Sequence, residues 1–185
     1  MYKIFVSGSM QIKNLDHNVI NRIGNIMNSQ FEVIVGDADG VDSSIQRYLQ
    51  ERHFKPVKVY CAGEQPRNNL GHWLVKSINT DAKPGTRAFF TAKDLEMAQD
   101  CDYGFMVWDA KSTGTLSNAI ELLKIKKFSL VYINKAKEFL KVRRVEDLEK
   151  LLSYMSESAF AKANQKLGLT NQIESFKYTQ SSFLL

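Results

Sequence analysis

From Phe31 to Leu49 the chain reads FEVIVGDADGVDSSIQRYL: an apolar run, a turn of glycines and aspartates, then residues at helical spacing. This order of strand, tight loop and helix constrains the fold more than any other stretch. Val33, Ile34 and Val35 follow one another without polar alternation, which predicts a strand covered on both faces, as in a parallel sheet. Gly36 and Gly40 bracket Asp37, Ala38 and Asp39, and glycine admits positive φ and close approach of a ligand to the backbone. Val41, Ile45, Tyr48 and Leu49 then share one helical face. Open α/β sheets bind ligands at such loops, where strand carboxyl ends meet free helix N–H groups. Gly-Asp and Asp-Gly are also common turn dipeptides, and Asp39 or Asp42 is equally suited to capping the helix. The glycine spacing is neither that of a P-loop nor the dinucleotide fingerprint.

A second loop of the same kind follows further on. Tyr103 to Trp108 reads as a strand ended by Asp109, and Lys111-Ser112-Thr113-Gly114-Thr115 leads into a helix expected over 116–127. Ser112, Thr113 and Thr115 offer hydroxyls, Gly114 lets the backbone come close, and the helix N-terminus adds partial positive charge, together a phosphate cradle. A helix cap with a solvent-facing loop is the plainer alternative.

The remaining elements fit around these two. Tyr2 to Val6 reads as the first strand, followed by the small-residue turn Ser7-Gly8-Ser9. Asn14 or Asp16 is placed to cap a helix whose apolar face carries Leu15, Val19, Ile23, Ile26 and Met27. Pro56 opens a third strand, VKVYCA, and irregular sequence follows, in which a minor helix is expected over 70–78 with Trp73 and Leu74 inward. Arg67 and Arg87 flank it, each a surface arginine or a forked donor for an anion. A helix is expected over 91–102 and a strand over 128–133. Beyond come an edge strand or link near Phe139, a helix from Val145 with spacing persisting to about Leu167, and an aperiodic tail. The aromatics of that tail are expected to dock on the same domain or on another subunit.

At 185 residues, 44% hydrophobic and 24% charged, the chain has the makings of one globular domain. A net charge of +5 permits phosphate-bearing ligands without demanding them, since the lysines form no dense run. Cys61 and Cys101 lack any CxxC pattern and are expected as buried free thiols in a reducing compartment, the cytoplasm. His17, His53 and His72 are scattered, so no metal and no cofactor is expected. The N-terminus, MYKIFVSGSM, has neither the basic start nor the long apolar run of a signal peptide or membrane span.

With Ser7-Gly8-Ser9, GDADGVD, Pro66-Arg67-Asn68-Asn69 and KSTGTLSNAIELL in this order, residues 1–134 resemble the SLOG superfamily of Rossmann-like proteins. That superfamily includes the LOG lysine decarboxylase-like proteins, the DprA family and the YspA-like group, and the two middle motifs look most like the YspA-like branch. The resemblance implies a three-layer Rossmann-like α/β domain over 1–134 with a mainly parallel sheet of five or more strands. Residues 135–185 are expected to form a helical extension packed on it. It implies binding of a nucleotide or nucleotide-derived small molecule, with phosphate on Gly114 and Thr115, sugar hydroxyls on Asp37, Asp39 or Asp42, and Arg67 and Asn68 closing the site. The full implied set is Ser7, Gly8, Ser9, Gly36, Asp37, Asp39, Gly40, Asp42, Arg67, Asn68, Arg87, Asp109, Ser112, Thr113, Gly114, Thr115 and Asn118.

In LOG proteins a glutamate three residues after the Gly-Thr of the phosphate loop serves cleavage of a nucleoside 5′-monophosphate. Asn118 stands there in this chain, and an amide has no charge or proton to lend. Glu121, one turn later, is expected to lie too deep to substitute. A sensor or binding module is therefore the first expectation. An N-glycosidase is the second, with Asp37, Asp39 or Asp42 as acid; repulsion between Asp37 and Asp39 would raise one pKa. Single-stranded DNA binding as in DprA ranks last, because no basic stripe interleaved with aromatics is visible. A homo-oligomer is compatible with the exposed tail, and no membrane partner is expected.

Overall fold

The computed structural model describes residues 1–182. Its centre is a seven-stranded sheet formed by β1 (Lys3–Gly8), β2 (Glu32–Gly36), β3 (Val57–Ala62), β4 (Leu74–Ile78), β5 (Tyr103–Trp108), β6 (Phe128–Ile133) and β7 (Glu138–Val142). The spatial order is β4-β3-β2-β1-β5-β6-β7, and every pairing is parallel except β6 with β7. The helices are α1 (His17–Asn28), α2 (Val41–Glu51), α3 (Arg87–Asp100), α4 (Thr113–Lys124), α5 (Val145–Leu152), α6 (Glu157–Leu167) and α7 (Leu169–Ser182).

Parallel strands need crossover helices, and these cover both faces of the sheet. On one face α1 and α2 bring Val19, Ile23, Val41, Ile45 and Leu49 against Val6, Val33, Val35, Val59 and Val107. On the other, α3, α4 and the C-terminal helices bring Met97, Leu116, Ile120, Leu148 and Leu151 against Phe5, Ile34, Met106, Val131 and Ile133. The sequence yields these layers because consecutive strand residues point to opposite sides and both sides are apolar. Asp16 caps α1 by accepting the Asn18 N–H at 2.9 Å. Cys61 and Cys101 are buried free thiols. No helix among the described residues is long and apolar enough to cross a membrane.

Several local expectations are corrected. Residues 70–78 form no helix: Leu74 to Ile78 is the edge strand β4, paired in parallel with β3 from Lys58↔Leu74 to Ala62↔Ile78. β3 would otherwise leave a row of backbone donors and acceptors open, and a short strand satisfies them. Leu74 is accordingly 76% exposed, while Trp73 is half-buried and donates its indole N–H to the Phe54 carbonyl at 3.0 Å. α3 starts at Arg87, four residues early, because the Thr86 hydroxyl accepts the Phe89 N–H at 3.3 Å. α4 likewise starts at Thr113, before Leu116. The helix from Val145 stops at Leu152, and a new one opens after the N-cap Ser156. The tail is helical as α7, with Ile173 and Phe176 packed on the core beside α5 and α6, whereas the final Phe183 to Leu185 lie outside the described residues.

Candidate functional site

β1 pairs with β2 on one side and β5 on the other, so the winding direction reverses between β1 and β5. Chains leaving the two strands diverge to opposite faces and open a crevice over their carboxyl ends. Ser9 spans it, donating its hydroxyl to Asp109 Oδ2 at 2.7 Å while its N–H bonds the Val107 carbonyl at 3.0 Å. Asp109 Oδ1 accepts the N–H groups of Lys111 and Ser112 at 2.9 and 2.7 Å. Burial pushes the Asp109 pKa up, but the Ser9 hydroxyl and these amides outweigh it and hold the carboxyl below its ordinary value.

From beneath, Trp108 donates its indole N–H to the Ser112 carbonyl at 3.0 Å and fixes the loop height. The Ser112 hydroxyl donates to that of the buried Thr115 at 2.8 Å, and the buried Asn118 amide donates to the Ser7 hydroxyl at 3.2 Å. Thr113 and Gly114 lie in the first turn of α4, where N–H groups have no intrahelical acceptor. A Cβ at Gly114 would meet nothing within 4 Å.

The acidic loop after β2 is built differently. Asp37, 2% exposed, receives Arg67 as a fork, with Nη2 to Oδ1 at 2.7 Å and Nε to Oδ2 at 3.1 Å, and the Arg67 N–H also donates to Oδ2 at 3.0 Å. Phe90 of α3 lies under the guanidinium, 4.3 Å from ring centroid to Cζ. Asn68 donates to the Asp37 carbonyl at 2.8 Å and to Asp39 Oδ1 at 3.1 Å. Asp42 is buried, with Oδ1 lacking any hydrogen-bond partner and Oδ2 lying 2.4 Å from where a Gly36 Cβ would stand. Lys93 of α3, also buried, sits over the same glycine, bonded to Asp94 at 2.7 Å and 4.0 Å from Asp37.

Charge in this cluster falls where the expected repulsion between Asp37 and Asp39 did not put it. Burial raises the Asp37 pKa, but hydrogen bonds from Arg67 and the charges of Lys93 and Arg67 bring it below the ordinary value. The raised carboxyl is Asp42, pushed to about 7 by burial, with Asp94 and Asp37 adding and Lys93 and the Ala38 N–H opposing. Burial works against the Lys93 ammonium, yet Asp94, Asp42 and Asp37 raise its pKa.

Ser7, Gly8, Ser9, Gly36, Asp37, Asp39, Gly40, Asp42, Asp109, Ser112, Thr113, Gly114, Thr115 and Asn118 all follow or flank the carboxyl ends of β1, β2 and β5, and Arg67 and Asn68 reach them from the loop after β3. Arg87 does not join them; it is exposed at the start of α3. Glu121 pairs with Lys124 at 3.7 Å, on the far half of α4.

Two residues of the cluster escape motif reading. Gln46, 0% exposed, donates to the Gly36 and Asn68 carbonyls at 2.9 and 3.2 Å and accepts the Leu70 N–H at 3.0 Å. Lys93 shares the inward face of α3 with Phe89 and Met97 at intervals of four residues, a cation in an apolar stripe and the only signal that marks it. Among the described residues no group of three or more His, Cys, Asp or Glu side chains is placed to hold a metal ion.

No family model and no curated protein matches the chain. Among solved structures it is similar to DNA processing protein A from Helicobacter pylori, described for its single-stranded DNA binding mode, with a TM-score of 0.58 and 17% identity over 90% of this chain and 80% of that one. At this identity the likeness establishes a shared Rossmann-like α/β fold, and function has to be argued from the site.

Proposed function

We propose that the crevice between β1 and β5 binds a nucleotide or nucleotide-derived small molecule and does not turn it over. The observation that carries this reading is the open first turn of α4: Gly114 faces empty space beside the Ser112 and Thr113 hydroxyls, at the switch point of a parallel sheet. A phosphate fits there, while the exposed Asp39 is available to sugar hydroxyls. Residues 1–134 are the ligand-binding unit and 135–185 its extension. The pairing of Arg67 with Asp37 and of Asn68 with Asp39 makes the GDADGVD and PRNN motifs one unit, which favours the YspA-like branch.

Catalysis is disfavoured by the state of the acids. Asp37 is neutralised by Arg67, Asp109 is committed to Ser9 and two amides, and Asp42 is buried against Gly36 and Lys93. Asn118, at the position of the LOG glutamate, is held by Ser7. A general acid must reach the bond it protonates.

Titration calorimetry on a panel of nucleosides and their 5′-monophosphates, with chromatography for released base, tests the reading. A monophosphate should bind at least about tenfold more tightly than its nucleoside, since a charge-assisted contact contributes about 1.5–3 kcal/mol. Replacing Ser112 and Thr115 together by alanine should shrink that ratio, and no base should appear. Equal binding of nucleoside and nucleotide would sink the assignment. Brisk base release abolished by Asp39→Asn would move the protein to the glycosidase reading. The likeness to DNA processing protein A favours single-stranded DNA as a second reading, which an oligonucleotide outcompeting every mononucleotide would support.

A further inference from the structure

Beside the α4 loop lies a cleft of about 420 Å³, lined by Lys111, Ser112, Thr113, Ser156, Ser158, Ala159, Lys162 and Lys166. It joins the proposed phosphate loop to α6, in the C-terminal region for which the family resemblance offers no counterpart. Among the described residues none of its three ammonium groups has a hydrogen-bond or ion-pair partner. No carboxylate lines the cleft, although Glu157 is in the first turn of the same helix. Three like charges facing one concavity repel one another, and a multiply charged anion relieves that repulsion. The Ser112 hydroxyl is given to Thr115, but the Thr113 hydroxyl and the paired hydroxyls of Ser156 and Ser158 add donors suited to phosphoryl oxygens.

We propose that this cleft holds a second phosphate group of the same ligand, so that the preferred ligand carries a pyrophosphate or longer phosphate chain and not a single phosphate. This rests on the nucleotide reading above, because Ser112 and Thr113 belong to both subsites. The first phosphate lies on the turn of α4 beside Gly114, and the second extends toward Lys162 and Lys166. The extension thereby selects the ligand as well as covering the sheet.

The experiment compares ribonucleoside mono- and diphosphates and inorganic pyrophosphate by calorimetry at physiological salt, on the natural chain and on a Lys162→Gln, Lys166→Gln double variant. Both lysines are solvent-facing, and circular dichroism checks that the variant is folded. The diphosphate should bind about tenfold more tightly than its monophosphate, and the double variant should lose that gain while keeping its monophosphate affinity. A monophosphate bound as tightly as its diphosphate would overturn the second subsite and leave the nucleotide reading intact. Pyrophosphate binding that the double variant loses, with no nucleotide bound, would support the cleft and overturn the nucleotide reading. Absence of binding by all of these probes would overturn both.

Discussion

The loop after β2 and the loop before α4 each set glycine among polar residues at a strand's carboxyl end, and they use the glycine for opposite purposes. At Gly40, with φ +80°, a Cβ would stand 2.4 Å from the Met10 Cα, and at Gly36 it would strike Asp42 and Lys93. These glycines make room for the protein's own backbone and charges. At Gly114 nothing stands within 4 Å. The acidic loop is closed on itself by Arg67, Asn68 and Gln46, whereas the α4 loop meets its own side chains only at the base, through Asp109, Thr115 and Trp108. A motif that looks like a ligand loop can therefore be an internal brace, and the space around each glycine tells the two apart.

The comparison can be broken by mutation. Gly40→Ala should cost about 3 kcal/mol or more, because an L-residue is strained at that φ and its methyl meets backbone that cannot yield. Urea denaturation decides it, and a loss under about 1 kcal/mol would show that the Met10 turn gives way. Arg67→Ala comes next. Orphaning a buried carboxylate costs about 3–5 kcal/mol, but the arginine side chain is 38% exposed and water screens the loss, so about 2 kcal/mol is expected. A stability unchanged from the natural chain would mean that Asp37 is reached by solvent.

The third test uses pH. Asp42 titrates near 7 when folded and near 4 when unfolded, so between those values the folded state holds a proton that the unfolded state has released. Its contribution to stability is present below about pH 4 and is lost as pH rises toward 7. Asp37, whose pKa is lowered, acts in the opposite sense: its contribution is present above about pH 4 and is lost as pH falls through its folded value. Asp42→Asn should therefore gain on the natural chain as pH rises from 5 to 8, by on the order of 2–3 kcal/mol in unfolding free energy from urea denaturation. A constant difference across that range would show Asp42 ionised throughout. The smallest stability effect is expected for Gly114→Ala, within about 1 kcal/mol of the natural chain, since alanine is a better helix former and meets no neighbour. Its nucleotide affinity should nevertheless fall about tenfold, because the methyl takes the space beside the first phosphate. A stability loss matching that of Gly40→Ala would erase the distinction between the two loops.

Local pattern determined a large part of this protein. Apolar runs marked β1, β2, β3, β5 and β6, helical spacing marked α1, α2, α4 and α5, and the small-residue turns marked the strand ends that face the crevice. These signals are legible because burial on both faces of a strand, or one face of a helix, writes itself into neighbouring residues. Tertiary structure alone decided the rest. LVKSI became a strand because the open edge of β3 needed backbone partners, and Lys76 at its centre is anchored by Glu96 and Asp100 of α3. The Ser9 bond to Asp109 joins residues 100 positions apart, and the fork from Arg67 to Asp37 joins residues 30 apart. Whether a carboxylate in the GDADGVD loop is free, paired or buried depends on what arrives from α3 and from the loop after β3. Electrostatics acts through space, and only the folded chain sets which charges become neighbours.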